Sequence, residues 1–228
     1  MHRIGILSDT HGLLRPEVAE ALADCEAILH GGDVNKPAIL EQLNRIAPTY
    51  VVRGNNDKEW AKELPETLSV SLCGVRFFMV HNKKYIPKDE GSLTDVDLIV
   101  YGHSHKYEEK HEGGRFYLNP GSCGPRRFTQ PITFAVLEVE DDGSYRIRKM
   151  EVPHTKRPAL EQEIEALDIK RVVKGVMRDT NKRLSVRETA AKNGISEELA
   201  EQICRLYLTH PGVSADGIID KMGLPKNR

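Results

Sequence analysis

The sequence predicts an α/β (α+β) fold: two sheets packed face to face, helices outside them, and a small all-α domain at the C-terminal end. Three observations carry this. Short apolar runs alternate with helical stretches early in the chain, the rhythm of a buried parallel sheet. Hairpin turns then take over, at Cys73-Gly74, Gly113-Gly114 and Asp141-Asp142-Gly143. From about Thr155 the strand patterns stop and only helical ones follow.

Ile4-Gly5-Ile6-Leu7 is the first strand, and a helix follows near Pro16 to Ala23, with proline suited to its first turn. Ala27-Ile28-Leu29-His30 is the second strand, followed by a helix from about Pro37 to Arg45. Tyr50-Val51-Val52-Arg53 is the third strand. Leu68 to Leu72 and Val75 to Val80 flank the first hairpin turn, and Asp97 to Tyr101 is another buried strand. Lys106 to His111 pairs with Arg115 to Leu118, and Ile132 to Glu140 with Ser144 to Glu151. Pro153 to Pro158 reads as a linker, so the domains are 1–153 and 154–228. Helical patterns then cover roughly Ala159 to Ala166, Ile169 to Thr180, Val186 to Asn193, Glu197 to Thr209 and Ala215 to Met222. Ser196 and Ser214 are N-caps; Asn193-Gly194 and Pro211-Gly212 are stops.

The chain has 228 residues and a net charge of −1, which points to no particular partner. From Thr155 on there are 14 basic and 11 acidic residues, too small an excess to argue nucleic acid by itself. No apolar run approaches the roughly 20 residues of a membrane span. No charged, apolar, cleavable leader precedes the first strand, so a cytoplasmic location is expected. Cys25, Cys73, Cys123 and Cys204 are far apart and read as thiols rather than a disulfide framework.

Five segments carry metal-binding residue types: Asp9-Thr10-His11, Gly32-Asp33, Gly54-Asn55-Asn56-Asp57, His81 and Gly102-His103-Ser104-His105. Each has an ordinary reading as well. Asp9 suits a helix cap, Asp33 and the Asn-Asn-Asp run suit turns, and His81 suits a strand end. Asp9 and His11 reach the same side if the chain stays extended. The Gly-His-x-His element is the one that packing explains least well. The segments sit at or near the carboxyl ends of strands, where sites of α/β sheets lie. The set can hold two cations with open positions to spare, a way to activate water against a phosphate ester.

In this order, Asp-x-His, Gly-Asp, Gly-Asn-x-Asp, His and Gly-His-x-His resemble the calcineurin-like metallophosphoesterase family. Asn119-Pro120-Gly121-Ser122 is similar to its small bacterial phosphodiesterase branch. The resemblance covers roughly Ile4 to Val152 and implies a four-layer αββα sandwich with a dinuclear site. One metal would take Asp9, His11 and His105, the other Asn55, His81 and His103, with Asp33 bridging. Two divalent ions are implied, Mn typically, with Ni, Fe or Zn also accommodated. A hydroxide bridging the metals would attack phosphorus in a phosphoester substrate. Asp33, Asn55, Asp57 and His81 are the expected catalytic set, with Asp57 orienting His11.

The chain departs from the family at two places. Many members carry histidine, or in the small branch cysteine, at the position of Asn56, where it assists the leaving group; asparagine has no useful proton to give. Members often have His-Gly-His where His81-Asn82-Lys83 stands, so the ligand is kept and the loop differs. Lys83, Lys84 and Lys88 there suit either substrate or solvent. Arg126 and Arg127 suit either phosphate or solvent. Ser185 to Thr209 has the form helix, Asn-Gly turn, helix, compatible with nucleic-acid binding, though the favoured reading is a plain bundle packing on the catalytic domain or on a second copy. A catalytically weak member serving as a protein-interaction scaffold, as in the retromer subunit of this fold, is the alternative. That subclass loses metal-binding histidines, whereas all seven ligands stand here.

Overall fold

The computed structural model describes residues 1–126, 130–153 and 158–224. Residues 1–126 and 131–153 form one compact unit, and Gln130 with the described residues from 158 on forms the other. The expected linker residues 154–157, and Arg127, lie outside the described residues.

The first unit runs β1 (His2–Leu7), α1 (Pro16–Ala21), β2 (Ala27–His30), α2 (Pro37–Asn44), β3 (Thr49–Val51), β4 (Thr67–Leu72), β5 (Val75–Val80), β6 (Leu98–Val100), β7 (Tyr107–Glu112), β8 (Arg115–Pro120), β9 (Ile132–Val139) and β10 (Tyr145–Val152). Its strands make two five-stranded sheets, ordered β10-β9-β1-β2-β3 and β4-β5-β6-β8-β7. In the first, β1 pairs parallel with β2 and antiparallel with β9, with Ile4 opposite Ala27 and Leu137. In the second, β6 lies parallel to both β5 and β8.

The sheets meet face to face because alternate residues of both are apolar. Ile4, Ile6, Leu29, Leu137, Phe77, Met79, Val100 and Leu118 share one core between them. The other face of the first sheet carries Leu7, Ile28, Phe134 and Val136, covered by Val18 and Leu22 of the α1 region and by Ile39 and Leu43 of α2. Burial on both faces explains the unbroken apolar run of β2. Edge strand β4 instead alternates half-buried and exposed residues. The outer face of the second sheet, with Phe78, Val80, Ile99 and Tyr101, is capped by Leu93 and Ile86. Leu93 ends a 3-10 turn over Glu90–Leu93, and Ile86 follows another over Lys83–Tyr85, so short 3-10 turns serve where longer helices cover the first sheet.

The second unit contains α3 (Pro158–Glu165), α4 (Ile169–Asn181), α5 (Val186–Asn193), α6 (Glu197–Thr209) and α7 (Ala215–Lys221). Val172, Val173, Val176, Leu199, Ile203, Ile218 and Ile219 form its core. Ser185 and Glu188 close a capping box on α5, and Gly194 ends it in the left-handed conformation. Buried Asp179 of α4 accepts from Lys192 Nζ at 2.6 Å and Asn193 Nδ2 at 3.0 Å. Lys192 leads in holding the Asp179 carboxyl down at about 2. No described helix is long and apolar enough to cross a membrane.

Candidate metal centre

The loops after β1, β2, β5 and β6 converge at the carboxyl ends of these strands. Backbone bonds lace them together. Asp9 N donates to Gly32 O at 3.0 Å, His11 N to Asp33 O at 2.9 Å, and Gly102 N to His81 O at 2.9 Å. Gly54 and Gly102 permit the closeness: an added Cβ would lie 2.1 Å from Asp33 N and 2.0 Å from Ser8 Oγ respectively.

The loops are not extended. Asp9, His11, Asp33, His103 and His105 all have positive φ, between 44° and 69°. This corrects the expectation that an extended Asp-x-His places both side chains on one side; left-handed turning does so. Such residues cost roughly 1–2 kcal/mol each, a strain that collects at functional sites.

Two groups of ligand atoms result. His105 Nε2 lies 3.1 Å from Asp9 Oδ1 and 3.2 Å from His11 Nε2. His11 Nε2 is 3.8 Å from both Asp9 Oδ1 and Asp33 Oδ2. In the second group, Asn55 Oδ1 lies 3.0 Å from His81 Nε2 and 2.8 Å from His103 Nδ1. Asp33 Oδ2 reaches this group too, 3.6 Å from His81 Nε2. All seven sequence-predicted ligands are therefore brought together, and one oxygen of Asp33 faces both groups.

The proton inventory fits cations here. His81 Nδ1 sits 2.7 Å from Gly31 O, which can only accept, so the ring proton belongs on Nδ1. Nε2 of the neutral ring is then a lone pair facing the oxygens of Asn55 and Asp33. A divalent cation among the three satisfies all of them. Asp9 Oδ1 is likewise buried, with the His105 ring nitrogen at 3.1 Å as its close neighbour among the described residues. Near His11, Asn35 Nδ2 lies 3.3 Å from Nδ1 while Asn35 Oδ1 has no partner. A half-turn of that amide puts Oδ1 on a protonated Nδ1 and makes His11 Nε2 the ligating nitrogen.

Burial pushes Asp9 up, but His105, His81 and His11 together hold its carboxyl well below the usual range. Burial raises Asp33, with His81 and the Asn56 hydrogen bonds opposing.

Asp57, expected to orient His11, meets backbone amides rather than the imidazole itself. Its Oδ2 accepts from Asp33 N at 3.0 Å and Gly54 N at 2.8 Å, and its Oδ1 from Asn35 N at 2.7 Å. It fastens the Asp33 and Gly54 loops together and reaches His11 only through Asn35. Asn56, buried, donates from Nδ2 to Asp33 Oδ2 and from N to Asp33 Oδ1, each at 2.7 Å. The Asn-Pro-Gly-Ser segment is a clamp. Asn119 Nδ2 donates to Gly102 O at 2.8 Å, and Ser122 Oγ to Asp9 O at 2.8 Å.

Sequence reading missed three supports. Asn35 is one. Ser8 Oγ donates to Asp9 Oδ2 at 2.7 Å. Fully buried His30, whose pKa falls to about 4 through burial, accepts from Gly32 N on Nδ1 and meets Thr10 Oγ1 at 3.0 Å through Nε2. A histidine closing the apolar run Ala-Ile-Leu was the available signal. Among the loop cations, Lys83 is paired with Glu108 Oε1 at 2.6 Å. Arg126 is half-buried.

A family model described as the calcineurin-like phosphoesterase superfamily domain matches residues 2–142. A probable metallophosphoesterase of Methanothermobacter thermautotrophicus is 33% identical over 151 residues, 61% of this chain and 86% of that protein. Phosphodiesterase YfcE of Escherichia coli K12 is 30% identical over 162 residues, 60% of this chain and 88% of its own length. Among solved structures, wild-type Vps29 of Entamoeba histolytica complexed with Zn²⁺ is similar at TM-score 0.50 and 26% identity, covering 65% of this chain and 98% of that one. Together with a cluster of Asp9, His11, Asp33 and His105 able to hold a metal, these likenesses define a metal-dependent phosphoesterase. The chain belongs to the calcineurin-like phosphoesterase superfamily.

Proposed function

We propose that the centre is dinuclear and hydrolyses phosphodiesters. The observation that carries this is the position of Asp33 Oδ2, 3.8 Å from His11 Nε2 and 3.6 Å from His81 Nε2. Asp9, His11 and His105 hold one cation, Asn55, His81 and His103 the other, and Asp33 spans both. Mn²⁺ is the first choice for this mixed donor set, which also suits Ni, Fe or Zn. A bound pair of divalent cations supplies a water-derived hydroxide nucleophile at neutral pH and neutralises charge on the phosphoryl oxygens. The residues around it set geometry: Asp57 and Asn56 fix Asp33, and Asn119 and Ser122 fix the loops of His103 and Asp9. Asn56 spends its amide on Asp33 and has no proton at a useful pKa for a departing alkoxide. The centre therefore prefers leaving groups that depart unprotonated.

Diester preference is further supported by the name of the Escherichia coli relative. Free thiols at Cys25, Cys73, Cys123 and Cys204 suit a reducing compartment, the cytoplasm. A second copy and nucleic acid are the partner classes for the helical unit; gel filtration and a salt-dependent binding assay test them.

The deciding experiment measures aryl diesters and monoesters with purified protein after chelation and after adding Mn²⁺. Restored diester hydrolysis is expected. A metal-loaded protein inert on both classes would favour the scaffold reading that the Vps29 likeness motivates.

A further inference from the structure

A second group of metal-binding side chains lies at the other end of the sandwich. His2 opens β1, Glu26 immediately precedes β2, and Cys73 occupies the turn before β5. All three therefore sit at the amino ends of their strands, whereas the phosphoesterase centre occupies the carboxyl ends of β1, β2 and β5. Their placement follows from the strand pairing. Glu26 N donates to Arg3 O at 2.8 Å, which brings Glu26 beside the start of β1. The two-residue turn Cys73-Gly74 delivers the thiol from the opposite sheet.

His2 Nδ1 lies 2.9 Å from Glu26 Oε1 and 3.0 Å from Oε2. Cys73 Sγ lies 4.0 Å from Glu26 Oε2. One ligand atom from each residue falls within 4.8 Å of the other two. Around a tetrahedral zinc the bond lengths place such donors roughly 3.3–3.6 Å apart. Shifts of about half an ångström suit the two Glu26 contacts, and one of up to about 1.2 Å closes the His2–Cys73 span; the side chains have room to move, His2 and Glu26 being 46% and 54% exposed.

We infer that His2, Glu26 and Cys73 form a separate zinc site that ties the first sheet to the second at the end remote from catalysis. Imidazole, carboxylate and thiolate make a mixed set that zinc accepts readily, with a fourth position left for water. Zinc takes the thiolate, the thiol proton leaves to solvent, and Glu26 becomes its co-ligand.

This site is independent of the phosphoesterase reading, because the seven ligands of that centre include no sulfur. The test is a Co²⁺ titration of the full chain, following thiolate-to-cobalt charge transfer in the near ultraviolet. A saturable band is expected, absent in Cys73→Ser and reduced in His2→Ala. Zn²⁺ should displace it and slow labelling of Cys73 by a thiol reagent. It should also raise Tm by more in the wild type than in Cys73→Ser, which keeps the phosphoesterase centre, the difference being roughly 5–10 °C at a hundredfold excess over Kd. Mn²⁺-supported hydrolysis by Cys73→Ser should match the wild type. No thiolate band in the wild type, or an equal band in Cys73→Ser, would overturn the assignment.

Discussion

Asn56→Ala isolates what asparagine does at this position. Its Nδ2 lies 2.7 Å from Asp33 Oδ2, and the side chain is only 8% exposed. A buried hydrogen bond to a charged acceptor contributes about 1.5–3 kcal/mol, or about 10- to 150-fold. The backbone N–H of residue 56 keeps its own 2.7 Å bond to Asp33 Oδ1 in any variant. Asp33 is thus loosened rather than released, and the lower part of that range applies, about 10- to 30-fold weaker Mn²⁺ binding. The assay titrates Mn²⁺ into chelated protein by calorimetry and repeats the titration through hydrolysis of a nitrophenyl diester. Circular dichroism confirms folding. A positioning role also demands that the rate loss be the same for every leaving group. If Mn²⁺ affinity stays within twofold, or the loss grows with leaving-group pKa, Asn56 is not acting through Asp33.

Other outcomes follow from the same geometry. His105→Ala and Asp33→Ala should each lose metal and activity without unfolding; Asp33→Ala should lose both ions, and retention of both with near-normal rates would refute bridging. Asn56→His should speed alkyl diesters by something like 10²-fold relative to nitrophenyl diesters, the low end of general acid catalysis, read as a flatter leaving-group plot; parallel plots would mean another proton source. Gly54→Ala forces Cβ onto Asp33 N and should cost about 1–3 kcal/mol in denaturant midpoint together with weaker metal binding. The depressed Asp179 carboxyl contributes stability above its unfolded pKa and loses it as pH falls from about 4 to about 2. Asp179→Asn should flatten the acid limb of a helix-unfolding curve over that window; an unchanged limb would remove Asp179 from the account.

Much of the fold was legible because its signals are local. The apolar run of β2 and the Gly-Gly turn between β7 and β8 state their conformation within a few residues. The proline openings of α1 and α2 do the same. The 3-10 turns over the second sheet were not legible, since three or four residues carry no period. The ligand set was readable by type and order. Its backbone was not: positive φ at Asp9 or His103 is imposed by bonds to Gly32 O and Asp9 Oδ2 from distant segments. The partners of Asp57 were hidden for the same reason: two of the three, the amides of Asp33 and Asn35, belong to another loop.

The order of the first sheet has a consequence for biosynthesis. β1, which leads into Asp9 and His11, is flanked by β2 on one side and by β9 on the other. A chain emerging from the ribosome can pair β1 with β2 early, but the other edge of β1 stays bare until Val139 has been made. Through that interval an apolar strand offers unpaired amides and carbonyls to any neighbour. The Asn119 and Ser122 clamps also arrive only shortly before β9. Asp9 and His11 are thus made well before the strand and the clamps that fix their loop. The interval between β2 and β9 is therefore the one in which the loop after β1 has least to hold it.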